Sequence, residues 1–220
     1  MSFTFIFDMD GTLFQTNKIL ESSLDDTFQH LRKLNLWDKE TPIEKYREIM
    51  GVPLPVVWEK LLPTHSSDVR SQANDIFHYK LIENINLGKG ALYPHVQELF
   101  HYLKNSGHPI FIASNGLTEY LRAIVHFYNL DQWVTETFSI EQIETQDKAD
   151  LVQTIINKYQ IENGAVVGDR LSDIRAAKAN GLTAIGCNFD FVQEEELAQA
   201  DFVIDDLLEL KNLVAKLMVV

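Results

Sequence analysis

Phe5-Ile6-Phe7-Asp8-Met9-Asp10-Gly11-Thr12-Leu13 sets two carboxylates one residue apart where an apolar run breaks off. Carboxylates held close together repel, and such a pair calls for a cation, a shared proton or strong hydrogen bonding. If the chain stays extended through Met9, both side chains project to one side. Asp8 and Asp10 then suit a metal-assisted nucleophile with a partner acid. They equally suit a strand that ends in an Asx-type turn. Gly11 permits a sharp turn and close approach of a ligand to the backbone.

Three further groups could do chemistry. Ser114-Asn115-Gly116 follows the apolar run Ile110–Ala113 and precedes a helical pattern, so its hydroxyl and amides could hold phosphoryl oxygens at a helix start. An ordinary N-cap by Ser114 or Asn115 is the alternative. Lys148 stands in the first turn of the helix marked by Leu151 and Ile155, where the macrodipole disfavours a cation. It is either a lysine reaching toward a nucleophile and a phosphate, or a solvated one offset by Asp147 and Asp150. In Gly168-Asp169-Arg170-Leu171-Ser172-Asp173, two carboxylates sit about one helical turn apart beyond the run Ala165–Gly168. They could ligate Mg²⁺ directly or through water. With Ser172 as N-cap, Asp173 could instead be a dipole-compensating residue, which leaves Asp169 unexplained.

Positioning these groups is the work of alternating strands and helices. Phe3–Phe7 reads as a strand buried on both faces. From about Gln15 to Leu87 only helical periodicity appears: Leu20, Leu24, Phe28 and Leu31; Ile43, Tyr46 and Met50; Val57 and Leu61; Ala73, Phe77 and Leu81. Beyond Gly88-Lys89-Gly90 a helix is predicted from Pro94 to Gly107, then a strand at Ile110–Ala113 and a helix from Leu117 to Tyr128. A weaker strand at Phe138–Ile140 and a helix over Leu151–Tyr159 follow. Strands at Ala165–Gly168, Thr183–Cys187 and Phe202–Ile204 and helices at Ile174–Asn180 and Leu207–Leu217 complete the pattern. This predicts an α/β fold: a Rossmann-like parallel sheet core with helices on both faces, interrupted by an inserted all-helical domain. The expected core is residues 1–14 with 88–220, and the insertion is residues 15–87. In such sheets ligands bind beyond the carboxyl ends of the strands, where all four chemical groups fall.

The 220 residues are 45% hydrophobic, enough for a sizeable core, and carry a net charge of −13. That charge argues against nucleic acid and against an anionic membrane surface as partners. A local cation or metal ion can still draw a small anion into a pocket. Cys187 is the single cysteine, so no intrachain disulfide forms, and with no signal peptide or membrane span in the pattern the expected location is the cytoplasm.

Asp8-Met9-Asp10-Gly11-Thr12-Leu13, Ser114, Lys148 and Gly168–Asp173 together resemble the four motifs of the haloacid dehalogenase-like hydrolase superfamily, in order and approximate spacing, over nearly the whole chain. The helical insertion is similar to that superfamily's C1-type cap. Ala91–Val96 and Ala200–Asp205 resemble its phosphoglycolate phosphatase-like branch. The resemblance implies a Mg²⁺-dependent phosphatase acting on a small phosphorylated metabolite, as a monomer or homodimer. It implies Asp8 as nucleophile, forming an aspartyl-phosphate, and Asp10 as acid and then base. Mg²⁺ would be held by Asp8, the Asp10 backbone carbonyl and Asp169, with Asp173 in support. Ser114, Asn115 and Lys148 would bind phosphate, and Met50-Gly51-Val52-Pro53 would form a specificity loop, with Gly51 approaching the substrate. Cap motion about Leu13–Thr16 and Asn86–Gly90 is also implied.

The chain departs from the branch pattern at Gln15-Thr16, at Ala149 and at Asn188–Phe191, none of which removes a catalytic group. Asp10 favours a phosphatase or phosphomutase over a dehalogenase, which lacks an aspartate there. A β-phosphoglucomutase-like isomerase shares the set. In the insertion, Lys45, Arg47 and Lys60 could meet a second phosphate, and Trp37, Tyr46 and Trp58 a base. Solvated charges and core aromatics are the simpler expectation. Outside catalysis, a phospho-accepting receiver domain is shorter and lacks the insertion, and a non-catalytic binder of phosphorylated ligands would keep the same pocket.

Overall fold

The computed structural model describes residues 3–49, 54–190, 192 and 194–217. Met50-Gly51-Val52-Pro53, the expected specificity loop, lies outside them. Along the chain run β1 (Thr4–Phe7), α1 (Asn17–Lys33), α2 (Ile43–Glu48), α3 (Leu54–Leu61) and α4 (Ser67–Asn86). Next come α5 (Val96–Asn105), β2 (Ile110–Ser114), α6 (Thr118–Phe127), β3 (Glu136–Ser139) and α7 (Lys148–Tyr159). The last are β4 (Gly164–Gly168), α8 (Leu171–Ala179), β5 (Thr183–Cys187), α9 (Glu194–Leu197), β6 (Phe202–Ile204) and α10 (Glu209–Leu217). The chain divides into two compact units, Met1–Gln15 with Ala91–Val220 and, between them, Thr16–Gly90.

The first unit is built on a parallel sheet in the order β3-β2-β1-β4-β5-β6. Both faces are covered, and β1 shows how. Ile6 packs with Leu151 and Ile155 of α7 and Ile174 of α8, whereas Phe7, on the opposite face, meets the ring of Phe100 of α5 at 5.2 Å. Alternate side chains of a strand point to opposite faces, so a strand with both faces covered must be apolar throughout, as Phe5-Ile6-Phe7 is. All three side chains are fully buried. Strand order reverses between β1 and β4: the chain leaves β1 for β2 and β3 on one side, then returns to β4 on the other. The connections diverge there and leave a crevice at the carboxyl ends of these two strands.

In the second unit every regular element among the described residues is a helix. α1 and α4 pack along one another, burying Leu24, Phe28 and Leu31 against Ala73, Phe77, Leu81 and Ile85. Tyr46 and Trp58 are buried core residues, and the indole of Trp58 donates to Asn74 Oδ1 (3.0 Å). Trp37 packs edge-on to Phe28 at 5.0 Å. Arg47 is held by Glu21 and Glu44, and Lys45 and Lys60 are exposed.

Some expected boundaries move. The helix predicted from Pro94 begins at Val96, because His95 has a left-handed φ of 68° that a helix cannot run through. α8 begins at Leu171 rather than Ile174, which places Ser172 inside the helix and leaves Arg170 as its N-cap residue.

Candidate active site

Asp8 is the first residue past β1, and Asp169 the first past β4, so the switch point of the sheet sets these carboxylates on adjacent strand ends. Lys148 is the first residue of α7, and Asp173 the third of α8. Packing of α7 and α8 against the same face of the sheet carries both side chains to this crevice. The Lys148 ammonium donates to Asp8 Oδ1 and lies 2.5 Å from Asp173 Oδ1. The Asp173 contact is an ion pair without the alignment of a hydrogen bond, for that oxygen has no hydrogen-bond partner. At 4% exposure Lys148 is not a solvated lysine. Asp8, Asp169 and Asp173 are equally buried, and one carboxylate oxygen from each lies within 4.8 Å of the others.

The surroundings fix these carboxylates one by one. Fully buried Thr12 donates its hydroxyl to Asp169 Oδ1 (3.1 Å). Arg170 Nε lies 3.4 Å from Asp169 Oδ2, and the Arg170 backbone N–H donates to Asp173 Oδ2 (3.0 Å). Two glycines make the room. A Cβ on Gly11, which has a φ of 79°, would lie 2.7 Å from Asp169 Cγ, and one on Gly168 would overlap the Asp173 carboxylate. Both positions therefore exclude side chains for the sake of a carboxylate beside them.

Burial and mutual repulsion shape the electrostatics. Burial raises the pKa of Asp8 well above the ordinary carboxylate value; Lys148 opposes this, and Asp173, Asp169 and Asp10 add to it. Burial and Asp173 push Asp169 up to about 6, against the pull of Arg170 and Thr12. Burial works against the Lys148 ammonium, but Asp173 and Asp8 outweigh it and hold its pKa above the ordinary lysine value. Metal-free, the crevice thus holds more carboxylate than its cations neutralise, the condition under which a bound cation is most favoured.

Asp10 turns its Oδ1 to the hydroxyl of Tyr120, which donates at 2.5 Å. Ser114 ends β2, on the strand next to β1, and is buried. It does not cap a helix: α6 has Leu117 at its N-cap, and Ser114 Oγ accepts the Gly116 N–H (3.1 Å) inside the turn. Asn115 is exposed in that turn. The Thr118 N–H of α6 is taken by Glu141 Oε2 (2.7 Å), so a phosphoryl group at this helix start would have one fewer amide to meet. Gly51 lies outside the described residues. The spacing gives Tyr120 no mark, since it reads as one more apolar position of an amphipathic helix. Thr12 is marked only by standing beside the paired aspartates.

A 5'-nucleotidase of Pseudomonas aeruginosa is 23% identical over 196 residues, which are 87% of this chain and 85% of that protein. A phosphoglycolate phosphatase of Pseudomonas fluorescens is 25% identical over 216 residues, 93% of this chain and 77% of that protein. CbbY from Rhodobacter sphaeroides, solved in complex with phosphate, superposes with a TM-score of 0.77 at 20% identity over 96% of each chain, and so shares the fold. The family model of the haloacid dehalogenase-like hydrolases matches residues 5–187, and the chain belongs to that family.

Proposed function

We propose that the chain is a Mg²⁺-dependent phosphatase that hydrolyses a small phosphomonoester through a phosphoryl group carried on Asp8. The observation behind this reading is the buried contact between Asp8 and Lys148 at the switch point, with the Asp169 and Asp173 carboxylates within 4.8 Å. The names of the nucleotidase and phosphoglycolate phosphatase relatives support the reaction class.

The donor set fits Mg²⁺: the oxygens are hard and buried, and Asp173 Oδ1 makes no aligned hydrogen bond. Asp8, the Asp10 backbone carbonyl and Asp169 would hold the ion, with Asp173 in support. Its charge, when bound, would let an anionic carboxylate approach an anionic phosphate. An Asp8 oxygen bonds to phosphorus as the ester P–O bond breaks, and Asp10 gives its proton to the departing oxygen. Ionised Asp10 then takes a proton from water as the water oxygen bonds to phosphorus and the bond to Asp8 breaks. The products are an alcohol and phosphate. Lys148 orients Asp8, and Lys148, Ser114 and Asn115 steady the phosphoryl oxygens. The helical unit Thr16–Gly90 serves as the cap that selects the leaving group, with Gly51 in its specificity loop. The protein acts on a small phosphorylated metabolite in the cytoplasm, as a monomer or homodimer, without nucleic acid or membrane. No helix of the described residues is long and apolar enough to cross a membrane.

The test is phosphate release from aryl phosphates and a panel of phosphorylated metabolites, with Mg²⁺ and with chelator. Release that needs Mg²⁺ and is abolished by Asp8→Asn is the expected result. No release from any of them overturns the reading. Isomerisation of a glucose 1-phosphate without release points to a mutase instead.

A further inference from the structure

We infer that Tyr120 is a positioning residue for the acid–base carboxylate Asp10. This rests on the role of Asp10 given above and extends it to a residue in another element, 110 positions along the chain.

The argument begins with the ring. Tyr120 lies in the first turn of α6 and is 6% exposed. Its ring meets Phe14 edge-on at 6.5 Å between centroids, and Phe14 bridges back to Asp10 through the backbone. A Cβ on Gly116, in the turn after β2, would come 3.0 Å from Leu121 Cδ2 and 3.1 Å from Tyr120 Cδ1. The ring thus packs near both Phe14 and this turn, and its hydroxyl reaches Asp10 Oδ1 at 2.5 Å. A tyrosine buried this deeply needs a partner for its O–H. Here the partner is the one carboxylate of the first motif that lies outside the Asp8–Asp169–Asp173 group.

Oδ1 of Asp10 accepts the tyrosine O–H, so the carboxyl group is anchored from the start of α6. The bond also fixes the plane of the carboxyl group, which general acid catalysis requires before proton affinity matters. No bond to phosphorus involves Tyr120, and its own proton stays in place through both half-reactions. The turn that carries Ser114 and the acid Asp10 are thereby tied together: the helix that begins after the turn supplies the hydroxyl.

Tyr120→Phe removes the hydroxyl and keeps the ring. The test compares kcat/KM for phenyl phosphate and 4-nitrophenyl phosphate, two esters of like shape, only the first of which has a leaving oxygen basic enough to need an acid. The expected result is a fall of about ten- to a hundredfold for phenyl phosphate and less than about threefold for 4-nitrophenyl phosphate, with inhibition by inorganic phosphate unchanged. Asp10→Asn should show the same split, larger. Gly116→Ala, which crowds the ring but keeps the hydroxyl, should show it in weaker form, and so covers the case in which Tyr120→Phe fails to fold. An equal loss on both esters, or none, in Tyr120→Phe while Asp10→Asn keeps the split overturns the positioning role of Tyr120. Absence of the split in Asp10→Asn overturns the acid role of Asp10 and the inference with it, and leaves the nucleophile to be judged by Asp8→Asn.

Discussion

Lys148 bridges Asp8 and Asp173: one ammonium donates to the first carboxylate and lies 2.5 Å from the second, and all three side chains are buried. Asp8 follows β1, and Asp173 sits in the first turn of α8, so this cation ties the strand that carries the proposed nucleophile to the helix that follows β4. Breaking such a group by removing one partner leaves uncompensated buried charge, at a cost of about 3–5 kcal/mol. Lys148→Met is therefore expected to lower unfolding free energy by roughly that amount in chelator, measured by urea denaturation. Added Mg²⁺ should recover part of the loss, since a divalent ion neutralises the same carboxylates. Activity should fall by at least about a hundredfold even where the variant is folded, because the charge stabilising the transferred phosphoryl group is gone. A variant as stable as wild type in chelator would show that Lys148 is not the counter-ion of this group.

The pKa of Asp169 gives a test in the metal-free protein. Its folded value is raised from 3.8 to about 6, so between those values the folded state binds more protons than the unfolded. Stability from this group is thus fully present below about pH 4 and lost as pH rises through about 6. Of the roughly 3 kcal/mol that this shift is worth in all, about half should be lost between pH 5 and pH 7.5, so unfolding free energy in chelator should fall over that range by roughly 1.5 kcal/mol from Asp169. The surface carboxylates held low by Arg47, Lys211 and Lys178 work in the opposite sense, and in a more acidic range. Asp169→Asn should flatten the profile, and the difference between the two proteins isolates the group. Mg²⁺ binds the ionised form and should stabilise the wild type more at pH 7.5 than at pH 5. A wild-type profile in chelator that rises over this range contradicts the raised value.

Much of this site is legible in the chain itself. Asp8, Asp169 and Asp173 are marked because each stands where an apolar strand ends or a helix begins, and the parallel sheet puts all such places at one edge. Lys148 is marked because its helical position disfavours a cation. Other features depend on distance in space and leave no local trace. Whether Ser114 caps a helix or closes a turn is decided by where α6 starts, and Leu117 rather than Ser114 is its N-cap. The left-handed His95, which delays α5 past Pro94, is paired with Asp206 from far along the chain (2.9 Å). Tyr120 becomes significant only once the fold brings the start of α6 to Asp10.

Gly11 tests how tightly the first motif is built. Its φ of 79° is one that side chains resist, and a Cβ there would meet the Asp169 carboxylate. Gly11→Ala should cost about 1–3 kcal/mol of stability from backbone strain alone. It should also push Asp169 away from the other carboxylates, so the Mg²⁺ concentration for half-maximal activity should rise. If stability fell with no change in Mg²⁺ dependence, the glycine would be serving the turn and not the carboxylate.

Thr12 separates the hydroxyl's role from its volume. The residue is fully buried, and its hydroxyl donates to Asp169 Oδ1 at 3.1 Å, so valine fills the same space while removing the bond. Losing a hydrogen bond to a charged group costs about 1.5–3 kcal/mol. In Thr12→Val that cost falls on the ionised form of Asp169, because the lost bond favoured the carboxylate over the neutral acid. The variant should therefore be destabilised more at pH 7.5 than at pH 5 in chelator, and Asp169 should titrate higher than in wild type. It should also bind Mg²⁺ more weakly, as measured by calorimetry without substrate. Thr12→Ser, which restores the hydroxyl and loses a methyl, should recover Mg²⁺ affinity while remaining less stable. Equal Mg²⁺ affinity in the valine and serine variants would mean that Thr12 serves the core alone.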